Sequence, residues 1–151
     1  MRFESKALYP FLPLDYCDLV SLKELKDFLR LEHNELDDEI TELLKSGVNL
    51  FQNTTNRVLL RQKALLSVSD ERVFLAPFNA ILKADFKGSI DTKGDVFSVC
   101  GSGSFELDLG YENIPFELKS WLKNYVLNAF ENKPLPRLSD VLLNRYKIRF
   151  F

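Results

Sequence analysis

The sequence has 151 residues, of which 46% are hydrophobic and 28% are charged, a balance that is ordinary for a globular domain. This length predicts a single domain, residues 1–151, that buries about 68–70% of its unfolded surface. The formal net charge of −2 argues against a protein whose main task is to neutralise phosphate. We find no signal peptide and no apolar run of about 20 residues. We therefore expect the protein to be made in a cytoplasm and not to associate with a membrane.

Residues 1–20 are predicted to form an extended N-terminal arm, because Pro10 and Pro13 prevent a helix there. A helix is predicted to begin after Ser21. Its hydroxyl can accept a hydrogen bond from a backbone N–H in the first turn, and Glu24 three residues later completes a capping box.

A second, longer helix follows, in which apolar residues between Leu36 and Phe51 recur at helical spacing. Gly47 lies on the apolar face, which we interpret as a place where another backbone packs closely. The start of this helix is acidic, as the helix dipole favours, and the acidic residues are Asp37, Asp38, Glu39 and Glu42. Dipole and solvent explain these carboxylates better than a metal ion does, so no metal site is predicted.

Between Val58 and Leu109 the apolar period changes to two, which indicates strands with one wet face. Three glycine-containing segments are interpreted as turns between short strands: Lys87-Gly88-Ser89, Lys93-Gly94-Asp95 and Gly101-Ser102-Gly103. The predicted fold class is therefore α+β, a mostly helical domain with two N-terminal helices, one long C-terminal helix and an inserted small antiparallel β-sheet.

The long C-terminal helix is predicted to begin at Pro115, whose ring fits the first helical position. It is apolar over most of its circumference, which indicates burial on two sides. We expect the second side to contact another subunit, through Trp121, Val126, Leu127 and Phe130, and a thick core within one chain is the alternative.

The C-terminal tail, residues 144–151, alternates cations with apolar residues. The cations are Arg145, Lys147 and Arg149, and the apolar residues are Tyr146, Ile148, Phe150 and Phe151. This alternation is typical of an edge strand of the same domain or of a peptide that docks on a partner by strand addition. The sequence alone leaves both open.

Residues for catalysis are few. His33 is the only histidine, which excludes sites that need two imidazoles. Cys17 and Cys100 are interpreted as reduced thiols, although Cys100 with His33 would be the pair of a small cytosolic enzyme, the least favoured alternative. The run Gly101-Ser102-Gly103-Ser104 precedes a strand instead of opening a helix, so it is not a phosphate loop. No catalytic residue, cofactor or metal is predicted.

Several blocks, in the same order over residues 21–147, resemble the head–tail connector (adaptor) family of tailed bacteriophages. They are the helix opening Ser21–Arg30, the acidic start Glu35–Ile40, the segment Val73–Phe78, the pair Gly110-Tyr111 with Ile114-Pro115, and the closing segment Leu142–Lys147.

The resemblance implies a non-enzymatic virion protein, assembled in the bacterial cytoplasm and located in the neck between capsid and tail. It implies a homo-oligomeric ring, a dodecamer matching the portal, through which DNA passes without sequence-specific binding. The implied partners are the portal protein and a stopper or tail-completion protein. Within this scheme we expect the acidic residues 37–39 and 42 to line the channel and residues 145–151 to dock on the portal. A tail-completion or stopper protein is the alternative, and the state of the free protein, monomer or ring, stays open.

Overall fold

The computed structural model describes residues 7–10, 14–136 and 140–147. Contacts divide the chain into two compact units. The sheet unit consists of Asn56–Glu112 with the first strand, and the helical unit consists of Asp15–Thr55 with Asn113–Lys147. The elements are β1 (Ala7–Pro10), a 3₁₀ turn (Tyr16–Asp18), α1 (Leu22–Leu29), α2 (Asp37–Thr55), β2 (Gln62–Leu75), β3 (Phe78–Lys93), β4 (Val96–Leu109), α3 (Phe116–Phe130) and α4 (Asp140–Tyr146).

The predicted mostly helical fold class is wrong. β2, β3 and β4 have 14, 16 and 14 residues, so strands and helices contribute about equally and the sheet is not a small insertion. The set of two N-terminal helices and one long C-terminal helix is not matched either, because a 3₁₀ turn precedes α1 and α4 follows α3. The error has a local cause: Gly88, Gly101 and Gly103 lie inside long strands, and only Lys93-Gly94-Asp95 is a real turn between strands.

The sheet is antiparallel in the order β1-β2-β4-β3, and it is folded over on itself. Leu75 at the end of β2 pairs with Phe97, whereas Phe78 at the start of β3 pairs with Leu109. Leu75 and Phe78 are three residues apart, hence within about 11 Å, while a straight strand would separate Phe97 from Leu109 by about 40 Å. The two ends of β4 must therefore approach each other.

The sheet can fold over on itself because β2, β3 and β4 are all irregular at positions that pair with one another. In β2 the register shifts between Val68 and Glu71, which marks a bulge. Gly88 of β3 and Gly101 of β4 face each other there, and a Cβ on Gly101 would lie 2.2 Å from the carbonyl oxygen of Lys87. Only glycine permits that approach at the observed φ of +147°.

Aromatic rings fill the space inside the folded sheet. The rings of Phe97 and Phe105 meet edge to face with centroids 5.3 Å apart, although about 26 Å would separate these positions in a straight strand. Phe78 stacks on Phe97 at 4.9 Å, and Phe86 packs on Phe105 at 4.7 Å. Their buried area and ring contacts stabilise the fold of the sheet.

The helical unit packs α2 against α3 around Tyr125. The Ser46 hydroxyl and the Tyr125 hydroxyl are 2.9 Å apart, and the Tyr125 ring lies 5.6 Å from the Trp121 ring. A Cβ on Gly47 would lie 2.8 Å from Cδ1 of Tyr125. Gly47 therefore lies at a close approach, but the prediction that a backbone packs there is wrong, because the neighbour is an aromatic side chain.

Both ends of the chain contain regular structure that the sequence did not predict. In the arm, Ala7–Pro10 forms β1 and pairs with Ala64–Ser67 of β2. In the tail, Asn144, Arg145 and Tyr146 belong to α4 instead of an extended segment. Among the described residues, no helix has the length and hydropathy needed to cross a membrane.

Candidate assembly surfaces

Two residues of the predicted docking tail are bound within the helical unit. The Arg145 guanidinium is 2.7 Å from Oε1 of Glu117, and the Tyr146 hydroxyl donates to the same oxygen at 2.5 Å. The buried Tyr146 ring also meets the Phe51 ring edge-on, at 6.2 Å. Arg145 and Tyr146 therefore hold α4 in place. Lys147 is exposed, and Ile148, Arg149, Phe150 and Phe151 lie outside the described residues.

The electrostatics of this anchor follow from its contacts. The hydrogen bond from Tyr146, and then that from Arg145, lower the pKa of Glu117 below its ordinary value. The same carboxylate raises the pKa of Arg145. The contact is thus strongest when the Glu117 carboxyl is ionised.

The four residues expected at a subunit interface separate into two pairs. Trp121 and Val126 are buried inside the chain, on the core side of α3, so they are removed from the candidate contact surface. Trp121 packs on Phe51 with ring centroids 5.9 Å apart. Leu127 and Phe130 are half-buried and keep part of their surface accessible.

The acidic residues at the start of α2 differ in their surroundings. Asp37 is paired with Lys26 at 3.0 Å, and Glu42 with Lys45 at 3.3 Å. Asp38 and Glu39 are exposed. The negative charges of Asp37 and Glu42 are therefore balanced locally by lysines.

The two residues of the enzyme alternative, His33 and Cys100, belong to different units. His33 is exposed in the turn between α1 and α2. Cys100 is exposed in β4, where its cross-strand neighbours are Arg72 and Ser89. Within the described parts of the chain, no three His, Cys, Asp or Glu side chains come together in a way that could hold a metal ion.

An exposed row of side chains crosses the outer face of the sheet unit on all four strands. Tyr9 pairs with Leu65, Leu65 with Glu106, and Glu106 with Lys83. Leu82 lies beside Lys83 at a bulge, where two residues oppose one. Tyr9 is 62%, Leu65 45% and Leu82 46% exposed. We call this set, Tyr9, Leu65, Glu106, Lys83 and Leu82, the sheet row.

The helical unit has a second such stripe, on α3, with Phe116 and Leu127 as its apolar members. Phe116, Ser120, Lys123 and Leu127 recur at intervals of four, three and four residues, which places them on one helix face. Phe116 is 81% exposed, and the other three are half-buried. We call these four residues the α3 ridge.

Lys123 of the α3 ridge, together with the neighbouring Lys119, forms ion pairs with Glu24 of α1. The Nζ atoms of Lys119 and Lys123 lie 3.3 and 3.2 Å from the two carboxylate oxygens of Glu24. Burial raises the pKa of Glu24, but the hydrogen bonds from Lys123 and Lys119 outweigh this effect, so its pKa is lowered. Lys123 also lies over the Phe28 ring, 6.0 Å from the centroid.

Sequence reasoning missed both exposed apolar surfaces, although one signal was present. Leu65 alternates with the buried Ala64 and Leu66, so it is an apolar residue on the polar side of a strand. Such a residue marks a candidate contact. Phe116, by contrast, looks like one more core residue of an apolar helix, and nothing local distinguishes it.

The folded antiparallel sheet with a helical unit is a fold found in known virion particles. The chain is similar to a chain in the neck of an empty gene transfer agent particle, determined with C6 symmetry, with a TM-score of 0.72 and 11% identity over 96% of this chain and 97% of that one. A chain from the virion of the native particle gives a TM-score of 0.69 with 12% identity over 95% and 97%. A chain from the native neck, determined with C12 symmetry, gives 0.64 with 11% identity over 96% and 97%.

Comparison of the sequence alone identifies no relative. No protein-family model matches the chain, and no curated protein matches it. The structural neighbours therefore establish the fold.

Proposed function

We propose that this chain is a structural protein of the neck of a tailed phage or a phage-like particle. It forms a ring below the portal, lets DNA pass and provides the docking site for stopper or tail proteins, as a head–tail connector (adaptor) does. In this proposal it has no catalytic activity, and its location is the virion.

The observation that carries the proposal is the likeness of almost the whole chain to almost the whole of a neck chain, at a TM-score of 0.72. Both the sheet unit and the helical unit fall within the matched 96%. The sequence blocks that resemble the adaptor family support the same function independently, since they do not depend on the structural comparison.

The ring is proposed to be a dodecamer, in keeping with the C12 symmetry with which one neighbouring neck was determined. A closed ring requires two different surfaces on each subunit, and the chain has two surfaces that carry exposed apolar side chains, the sheet row and the α3 ridge. The exposed carboxylates Asp38 and Glu39 are the candidates for a channel wall that does not retain DNA, because like charges repel. Asp37 and Glu42 carry cation partners and contribute less.

The proposal is tested by co-sedimentation with the portal protein encoded in the same genome, followed by electron microscopy of the complex. We expect a ring stacked coaxially on the portal. Association with tail components but not with the portal would replace the adaptor assignment by the tail-completion or stopper alternative. Association with neither would refute the neck assignment.

The tail provides a sharper test of portal docking. Because Tyr146 packs on Phe51 and binds Glu117, a deletion that includes it would disturb the helical unit. Deletion of residues 148–151 spares this anchor. We expect the truncated chain to keep its thermal stability and to lose portal binding in the same co-sedimentation assay, because the docking peptide is gone. A truncated chain that still binds the portal would contradict a docking role for the tail.

A further inference from the structure

We propose that the sheet row of one copy is the contact surface for the α3 ridge of a second copy. The inference rests on the proposed function, since it names the subunit contact of the ring. The contact is heterologous: each copy offers its row to one neighbour and its ridge to the other.

The spacing of groups along the two surfaces matches. Neighbouring strands are about 4.8 Å apart, so, measured along the sheet, Leu65 lies about 5 Å, Glu106 about 10 Å and Lys83 with Leu82 about 14 Å from Tyr9.

The α3 ridge has a similar repeat. With a rise of about 1.5 Å per residue, Ser120 lies about 6 Å, Lys123 about 10 Å and Leu127 about 16 Å from Phe116. Aligned from Tyr9 and Phe116, each surface begins and ends with an apolar side chain.

The charges on the two surfaces are complementary. The third position is an acid on the sheet row, Glu106, and a base on the α3 ridge, Lys123. Among the described residues, the ion pair of Glu106 is a loose one, with 4.0 Å between its Oε2 and Nζ of Lys83. A second cation can therefore approach it. The Lys123 side chain is 24% exposed and pairs with Glu24. Because Glu24 also pairs with Lys119, two ammonium groups share one carboxylate and the cluster keeps one net positive charge.

A second copy of this chain fits the sheet row better than a different protein does, for two reasons. The same chain carries both complementary surfaces, and they are chemically different, which suits a ring and not a twofold dimer. The neighbouring necks were determined with C6 and C12 symmetry, and such cyclic arrangements repeat one heterologous contact around an axis.

The test is cross-linking of full-length chains in which Cys17 and Cys100 are replaced by serine. One chain carries Leu65→Cys and the other Leu127→Cys, each with a tag of different size. A short bis-maleimide is added to each chain alone and to the mixture. A third chain, Lys87→Cys, has its cysteine on an exposed strand position outside the sheet row and is the matched control.

We expect cross-linked dimers in the mixture of Leu65→Cys with Leu127→Cys, and several-fold fewer in either chain alone or with Lys87→Cys. Glu106→Lys added to the Leu65→Cys chain should lower the yield several-fold. Equal dimer yields in the single-chain reactions, or equal yields with Lys87→Cys, would overturn the proposed contact. So would a mixture without dimers.

Sedimentation of the unmodified chain at the same concentration separates this failure from failure of the proposed function. Oligomers that form without the specific cross-link would mean that a ring exists through other surfaces. The neck assignment is then judged by the portal experiment alone, in which the unmodified chain either joins the complex or does not.

Discussion

The sheet unit and the helical unit both contain a glycine at a close approach, but the neighbours differ. At Gly101 a Cβ would meet a backbone carbonyl at 2.2 Å, whereas at Gly47 it would meet the edge of a tyrosine ring at 2.8 Å. A paired backbone in a sheet cannot move without breaking hydrogen bonds, while a ring can shift by a few tenths of an ångström. The sheet unit should therefore be the less tolerant of a larger residue in place of its glycine.

The largest effect is expected for Gly101→Ala. The added methyl group meets the Lys87 carbonyl, and the φ of +147° is unfavourable for alanine. We expect the free energy of unfolding to fall by about 3 kcal/mol or more, measured by urea denaturation.

Gly94→Ala is the matched control, because Gly94 also has a positive φ, +63°, but has open space around it. It should cost about 1 kcal/mol, from the backbone conformation alone. Equal losses in the two variants would contradict the close approach of β3 and β4 at Gly101.

The next effect is expected for Arg57→Ala in the sheet unit. The Arg57 guanidinium donates to Asp95 at 2.8 Å and to the Tyr111 hydroxyl at 3.2 Å, so it ties the β3–β4 turn to the segment after β4. We expect a loss of about 2 kcal/mol in the free energy of unfolding, since the Arg57 side chain is only 10% exposed and its bond to Tyr111 is partly buried.

Arg61→Ala is the control for that measurement. Arg61 pairs with Asp108 at 3.1 Å, but it is more exposed, and exposed ion pairs contribute little. The loss should be clearly smaller than for Arg57→Ala. If the two arginines are equivalent, Arg57 does not hold the folded sheet closed.

In the helical unit, Gly47→Ala should be mildly destabilising. Alanine favours the helix by about 1 kcal/mol, but overpacking against Tyr125 costs about 1–3 kcal/mol, so the net loss should be about 1 kcal/mol. The Tyr125 ring is held by Ser46 and Trp121, which limits its movement. Asn49→Ala on the exposed face of α2 is the control and should be neutral or slightly stabilising. A stabilised Gly47→Ala variant would show that the ring yields freely.

The sequence predicted the features that depend on neighbouring residues, namely a helix cap and the alternation along a strand. The Ser21 hydroxyl accepts from the Glu24 N–H at 3.1 Å, as the capping pattern indicated. The alternation in β4, where Phe105, Leu107 and Leu109 are buried, was also visible. The same pattern in β3 misled, because Leu82 and Ala84 are exposed. The sequence did not show that the sheet folds over on itself, because a glycine in a bent strand and a glycine in a turn look alike in sequence. Which of the two occurs depends on pairing between residues far apart in the chain.

The candidate surfaces show the same limit. Tyr146 looked like part of a docking peptide because its neighbours alternate, but its contact with Phe51, 95 positions earlier in the chain, places it in a helix anchor. The exposure of Phe116 likewise depends on which side of α3 the core occupies. Composition alone could not decide either case.

The smallest effect is expected from pH. Because the pKa of Glu117 is lowered, the folded state binds its proton less readily than the unfolded state. The stabilisation of α4 is therefore complete above the ordinary carboxyl pKa of about 4.3 and declines as the pH falls through the lowered value. Amide chemical shifts of residues 140–147 should report this between pH 6 and 3. Glu117→Gln should remove the transition, and Glu112→Gln, in the sheet unit, should leave it unchanged. A transition that persists in Glu117→Gln would assign it to another carboxyl.

The most direct test of the neck assignment is electron cryomicroscopy of intact particles produced from the genome that encodes this chain. We expect density for the folded sheet and the helical unit, repeated in a ring between the capsid portal and the tail. Particles in which the chain is absent, or is found in the capsid shell or along the tail instead, would contradict the account.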